Sequence, residues 1–310
     1  RFTTLLHGGS NGFNITERDP FRNSAIAINA TEKTSYILNS LNRAIDLVSD
    51  PEVTQYNLIA MPGVTNSKVT KKLLDMTEDR ADALAIIDLG SVYEADTENT
   101  KSAQNRNNFT VKQTTDALLA QDINNSYGAC YAPWVLIQDT VSSRTLWAPP
   151  SIAAMGALST TDKMAAPWFA PAGFTRGGLS DGAGGIPVLD VSRRFNSDDR
   201  DRLYETNINP VAKFPAEGIV IFGQKTLQQT RSALDRINVR RLMIYLKREI
   251  SFIASRLLFA PNTRDTWTRF IGQATPLLDS VKAEFGIDDF KLILDETTTT
   301  PDLIDRNIIY

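Results

Sequence analysis

Two reactive side chains are almost missing from this sequence: 310 residues contain one cysteine, Cys130, and one histidine, His7. A lone cysteine excludes an internal disulfide framework and any cysteine-rich zinc module. With one imidazole, a Ser-His-Asp triad, a Cys-His pair or a histidine-ligated metal would each have to be built on His7. No apolar run approaches the roughly 20 residues needed to cross a bilayer, so membrane insertion is not expected. An excess of positive charge is missing too. Lysine and arginine number 33 against 36 acids, for a net charge of −3 and a pI near 5.4. That disfavours coating nucleic acid over the whole surface and leaves a local basic patch open. Arg1–Leu6 lacks the features of a signal peptide. The sequence starts without methionine and stops at Arg306-Asn-Ile-Ile-Tyr310, inside what reads as a strand. It is therefore expected to be part of a longer soluble chain.

What is present is an ordinary globular composition, 42% hydrophobic and 22% charged, long enough for one large domain or two smaller ones. Asn39–Ser49 has helical spacing in Leu41, Ala44, Ile45 and Val48, and Asp50-Pro51 stops it. Tyr56–Met61, Ser67–Arg80 and Ala83–Leu89 then read as strand, helix, strand, the span of a βαβ unit. After a polar loop over Ser91–Asn108, the pattern predicts a helix over Val111–Asn125 and a strand over Ala129–Ile137 interrupted by Pro133. Pro150–Met164 is helical, with its prolines where a missing amide costs little. Gly173–Gly185 holds six glycines in thirteen residues, which predicts a mobile or tightly turning loop. Ile186–Val191, Ile208–Phe214, Gly218–Phe222 and Phe290–Leu294 read as strands. Thr226–Phe259 and Thr263–Phe285 are the longest helical stretches. The fold class expected is α/β: a layered mixed sheet flanked by helices, with two long C-terminal helices.

Several motifs come near to chemistry. Gly218-Ile-Val-Ile-Phe-Gly223-Gln224-Lys225-Thr226 resembles a phosphate-binding loop with one residue too many, but Ile-Val-Ile-Phe prefers an extended buried strand. The Gly177–Gly185 run lacks a preceding strand and a following helix, so it is no dinucleotide fingerprint. Asp198-Asp199, Asp288-Asp289 and Asp295-Glu296 fit solvated faces or helix N-termini better than a metal site. Cys130 reads as a buried, inert thiol. Tyr131, Trp134, Trp147 and Trp168 lie in separate elements and are expected to pack a core. No catalytic residue, metal or cofactor is assigned.

One feature rises above background. Lys225 to Arg269 carries ten bases against three acids, whereas the stretch from Ile271 carries three bases against eight acids. On a helical wheel, Leu234, Leu242, Tyr245, Leu246, Ile250, Ile253 and Leu257 form a stripe, with Arg236, Arg240, Arg241, Lys247 and Arg248 on the other side. Ile237 and Ile244 are exceptions that point to a second contact. The basic side fits either a solvated face or an electrostatic docking face for an acidic partner.

These motifs together resemble the sheath protein of contractile phage tails, from about Leu6 to Glu296. The similarity begins at Gly8-Gly9-Ser10-Asn11-Gly12. It continues through Met61-Pro62-Gly63-Val64, Arg80-Ala-Asp-Ala-Leu-Ala-Ile-Ile-Asp88, Tyr131-Ala-Pro-Trp134, Pro149-Pro-Ser151 and Thr161-Asp162. Ala170-Pro-Ala-Gly173, Asn207-Ile-Asn-Pro210, Gly223…Thr226, Ile237-Asn-Val-Arg-Arg241, Phe259-Ala-Pro-Asn262 and Trp267 follow in the family's order.

The resemblance implies residues 1–20 leading in from absent N-terminal or peripheral domains, a sheath core α/β domain over 21–296, and the start of a truncated C-terminal strand or arm over 297–310. It implies a mechanical subunit without catalytic residues or cofactor, part of a phage virion tail and assembled in the host cytoplasm. The partners implied are other copies of itself in stacked rings, a tail tube protein, and baseplate and tail terminator proteins, with no direct nucleic-acid contact. Under this reading Arg236, Arg240 and Lys247 are first choices for touching the tube, and Arg241 and Arg248 for touching the tube or a neighbouring subunit. The sheath of a bacterial contractile injection system, and more distantly a soluble doubly wound α/β enzyme, are the alternatives. A ligand pocket at the C-terminal ends of the strands would favour the enzyme.

Overall fold

The computed structural model describes residues 16–309, so His7 and Gly8–Gly12 lie outside the described residues. In chain order the elements are α1 (Tyr36–Leu47), β1 (Leu58–Ala60), α2 (Ser67–Arg80), β2 (Leu84–Ile87), α3 (Ala103–Arg106), α4 (Val111–Leu119), β3 (Gly128–Ala132), β4 (Val135–Gln138) and β5 (Thr145–Ala148). They continue with α5 (Pro150–Met164), α6 (Gly173–Arg176), β6 (Val188–Val191), α7 (Ser197–Glu205), β7 (Asn209–Phe214), β8 (Gly218–Ile221), α8 (Ile237–Ser255), α9 (Arg264–Ala283) and α10 (Pro301–Asp305). The chain divides into two compact units, Arg1–Arg240 and Arg241–Tyr310.

The first unit is built on a five-stranded sheet of order β1-β2-β3-β7-β8, parallel except for the antiparallel β7–β8 pair. Every residue of β2 and β3 is buried, as expected of central parallel strands covered on both faces. Alternation sorts their side chains. Ala85, Ile87, Cys130 and Ala132 join Leu38, Leu41, Ile45, Leu73, Leu74, Leu118 and Leu203 in one core cluster, which places α1, α2, α4 and α7 on that face. Leu84, Ile86, Ala129 and Tyr131 point the other way, toward α5 with its buried Ala153, Ala154, Ala157 and Leu158. The layered mixed sheet flanked by helices is therefore as the sequence pattern predicts.

The strand expected over Ala129–Ile137 is two strands. Around Pro133, which offers no amide to a ladder, the chain leaves the first sheet and enters a second, antiparallel one of order β5-β4-β6. The helix expected to reach Asn125 stops at Leu119. Asp122 has φ of 45°, and the Asn125 side chain accepts the Tyr127 amide at 2.6 Å. The helix expected from Thr226 starts only at Ile237. Before it, the Leu227 amide donates to the Gly128 carbonyl and the Thr226 amide to the Asp235 carbonyl, both at 2.9 Å, so tertiary pairing overrides helix propensity.

The glycine-rich segment is pinned in place rather than loose. Leu179 donates to Ile219 and Ile221 donates to Gly177, each at 2.8 Å, so the segment runs along the outer edge of β8. Gly184, at φ of 67°, lies so close to α5 that an added Cβ would sit 2.6 Å from the Gly156 Cα.

The second unit holds most of α8 and all of α9 and α10. Leu242 and Ile244 on α8 and Trp267, Ala274, Leu278 and Val281 on α9 are its buried apolar residues among those described. Phe290–Leu294, expected as a strand, has no regular structure and pairs with no described strand; a strand needs a neighbour to hold it. Pro301 starts α10, with proline at the first position of the helix, and after it residues 306–309 have no regular structure.

Candidate functional site

Three of the sequence motifs meet at the C-terminal ends of β1 and β2. Asp88, one residue past β2, is 2% exposed. Its Oδ2 accepts the Gly63 amide at 2.8 Å and the Ser151 hydroxyl at 2.7 Å, and its Oδ1 accepts the Ser151 amide at 3.2 Å. Ser151 lies in the first turn of α5, where unpaired amides favour a carboxylate. Burial outweighs these donors and pushes the Asp88 carboxyl up to about 6. The carboxyl thus ties the turn after β1 to the start of α5.

Arg80 and Asp82 of the same motif form a second clasp. The guanidinium donates to both Asp82 oxygens, at 2.8 and 2.9 Å, to the Val48 carbonyl at 2.6 Å and to the Thr54 carbonyl at 2.9 Å. It also lies 4.1 Å from the centre of the Tyr56 ring. Such a planar, multiply bonded arginine fastens loops together.

Beyond Asp88 opens a groove of about 810 Å³, lined by the turn after β1, the loop after β2, and Trp134, Trp147 and Pro149. Tyr93 stacks on Trp134 at 4.6 Å and lies 5.8 Å from Trp147. Trp134 and Trp147, expected as separate core residues, are thus gathered with Tyr93; their distance in sequence gave no signal of it. The lining also includes Asp19, Glu94, Asp96 and Glu98. The Glu98 carboxylate accepts the Asn23 and Ser24 amides, each at 2.8 Å, and Asp96 pairs with Arg18 at 3.1 Å.

The near phosphate loop is strand β8 followed by a pinned turn. Asn209 accepts the Lys225 amide at 2.6 Å and donates to the carbonyls of Lys225 and Cys130 at 2.8 and 3.0 Å. The Lys225 ammonium donates to the Tyr204 carbonyl at 2.8 Å and lies 4.4 Å from the centre of that ring. Partial burial, then the nearby Arg236, lowers its pKa. Cys130 is fully buried, which pushes its thiol well above the usual range. Asp199 completes a capping box at the start of α7, Asp289 pairs with Lys282 at 2.9 Å, and Glu296 pairs with Arg264. Among the described residues no group of three His, Cys, Asp or Glu could hold a metal.

The five bases singled out on the long helix do not form one exposed face. Arg240 is 8% exposed, lies 4.0 Å from the Tyr127 ring and bonds to the Ser126 hydroxyl. Burial lowers its pKa. Arg241 is 3% exposed. Arg236 is half-buried, pairs with Asp235 at 3.1 Å and bonds to the Tyr204 hydroxyl. Lys247 is exposed, and so is Arg248, which pairs with its neighbour Glu249 at 3.2 Å. The surface set shrinks to Lys247 and Arg248. Ile237, Arg240, Arg241 and Ile244 are all buried and follow helical spacing on one face.

Fold and site together define a layered α/β framework whose motif residues hold elements to one another. Residues 38–227 match the model of the phage tail sheath protein central domain, and the chain belongs to this family. It is 36% identical over 186 residues to the tail sheath protein of Vibrio phage KVP40, covering 60% of this chain and 27% of that protein. It is 32% identical over 201 residues to the tail sheath protein of Enterobacteria phage T4, covering 65% and 28%. The chain thus spans little more than a quarter of the length of these relatives. Among solved structures, it is similar to the PVC sheath complex of an extracellular contractile injection system in the contracted state. The TM-score is 0.65 at 21% identity, covering 84% of this chain and 66% of the other. The contracted helical sheath of the anti-feeding prophage gives a TM-score of 0.61 at 21% identity, covering 87% and 68%. At these identities the likeness shows the fold.

Proposed function

We propose that this chain is the core of a structural subunit of a contractile tail sheath, which surrounds the tail tube and contracts to drive it through the host envelope. The observation that carries this reading is the family match over residues 38–227. The internal roles of Asp88, Arg80, Asn209 and Lys225 support a mechanical rather than enzymatic duty, because each holds main chain in place. The groove at the strand ends is where a doubly wound enzyme would bind its ligand. Asp88, the buried carboxyl at the end of β2, is already engaged by three donors.

The partners of this reading are other copies in stacked rings, the tail tube, the baseplate and the tail terminator. The protein would be a virion component assembled in the host cytoplasm. Exposed Lys247 and Arg248 are the bases left to touch the tube or a neighbouring subunit. Electron microscopy of the purified full-length protein tests the reading: hollow tubes with a regular helical repeat are expected, and a dispersed, non-polymerising protein would overturn it. A sheath of a bacterial contractile injection system is the second reading, favoured by the likeness to the PVC sheath. Recovery of the protein from phage particles would decide for the phage tail.

A further inference from the structure

At the C-terminal end of α8 the chain projects apolar side chains into solvent. Phe252 and Leu258 are exposed, Phe259 is fully exposed, and the Arg256 guanidinium lies over the Phe252 ring at 4.4 Å. Phe259 has φ of 65°, a conformation that bulky side chains rarely adopt. The turn that presents it is firmly bonded. Ala260 donates to Leu257 at 3.0 Å, the Trp267 indole donates to the Asn262 side chain at 2.8 Å, and that side chain donates to the Ile308 carbonyl at 3.0 Å. A rigid turn that holds a phenylalanine out in water is a pre-organised contact, since little ordering is left to oppose binding.

The groove at the C-terminal ends of β1 and β2 has the complementary chemistry. Among the described residues lining it, Asp19, Glu94, Asp96 and Glu98 stand against the single guanidinium of Arg18. Tyr93, Trp134 and Trp147 supply aromatic wall, with Trp147 partly open to solvent. The leading part of the second unit, residues 241–269, carries six bases against two acids. An aromatic, acidic groove suits an apolar residue accompanied by arginine, which gains both ring contact and charge.

We propose that the Arg256–Phe259 projection of one copy seats in the groove beside Tyr93, Trp134 and Trp147 of a second copy. This rests on the reading of the chain as a self-assembling subunit. Two different surfaces meet, so the contact is head-to-tail, and it repeats from copy to copy into a ring or an open helix rather than closing as a dimer.

The test places p-benzoylphenylalanine at position 259, where a fully exposed ring can be replaced without disturbing packing. The labelled chain is irradiated with an isotopically heavy copy that lacks it, and the linked peptides are mapped by mass spectrometry. Links from position 259 of one copy to residues 91–98 or to the Trp147 peptide of the other are expected. Arg256→Glu should lower their yield about two- to fivefold, the range of an exposed ion pair, and Glu94→Lys with Asp96→Lys in the heavy copy should restore it. Links confined to one copy, or no link, would overturn the proposal. Links between copies that land elsewhere would overturn this pairing while leaving self-assembly standing; dispersal of the full-length protein in the microscope is what would remove the sheath reading itself.

Discussion

Ser151 gives both its hydroxyl, at 2.7 Å, and its amide, at 3.2 Å, to the carboxylate of Asp88, 63 residues earlier in the chain. The pair joins the end of a central strand to the first turn of the helix that covers it. Both residues are buried, so the carboxyl faces protein donors instead of water.

That burial sets a pH dependence. In the folded chain Asp88 titrates near 6, above its ordinary 3.8, so the folded state holds this proton more tightly than the unfolded state. The stability contributed by protonation is fully present below about 3.8 and is lost as pH rises through 6. Its size is about 3 kcal/mol from the shift alone. Asp88→Asn cannot ionise, and it lacks one of the two acceptor oxygens. The stability of wild type relative to Asp88→Asn should fall between pH 4 and pH 7, measured by urea unfolding across that range. Parallel pH profiles for the two proteins would mean that Asp88 does not titrate as its surroundings dictate.

Two neighbouring glycines should differ. Gly184 and Gly185 both have positive φ, 67° and 82°, but only at Gly184 would a Cβ meet another backbone. Gly185→Ala should cost about 1 kcal/mol from conformation alone, and Gly184→Ala clearly more because α5 must shift. Equal unfolding midpoints for the two variants would contradict the close approach to Gly156.

Lys225 should behave as a brace. Lys225→Ala loses a bond to the Tyr204 carbonyl and the contact with its ring, and should cost about 1 kcal/mol in thermal unfolding. Calorimetric titration of the wild-type chain with ATP should give no heat of binding. Saturable binding that disappears in the variant would revive the phosphate loop.

The basic helix should split by burial. Arg240→Ala should lower stability by about 2 kcal/mol, because a desolvated guanidinium is removed from its ring and hydroxyl partners and leaves a cavity. Lys247→Glu with Arg248→Glu, in the full-length protein, should leave the fold intact and weaken extended assembly on tubes, more so at low salt. Unchanged co-sedimentation with tubes at every salt concentration would reduce these two bases to solvated surface.

Much of the framework is legible in short apolar runs. Tyr56–Met61 and Ala83–Leu89 bracket a helix with the span of a crossover, and both runs contain the strands observed. Pro133 announced a break, but nothing local says that the two halves join different sheets. The start of α8 was unreadable for a related reason: Thr226–Arg236 has helical composition, and its partners are Gly128 and Asn125, a hundred residues away. The basic face was misjudged although a sign was present. Ile237 and Ile244 flank Arg240 and Arg241 on the same helical face, and two isoleucines there place the arginines between them inside. Asp88 sits next to last in the run Ala83–Leu89, just before Gly90, a position that reads equally well as a solvated strand end. Only the approach of Gly63 and Ser151 makes it a buried tie.

The clip that Asn209 makes on Lys225 bears on how this molecule transmits force. The chain between β8 and α8 is laced back to the sheet by two Asn209 bonds to Lys225 and by Leu227 to Gly128, and Ile237 closes the segment on the Gln224 carbonyl. A pull on this segment is therefore shared among bonds to β7 and β3, instead of falling on β8 alone. Load shared in this way stiffens the segment against being lifted from the sheet.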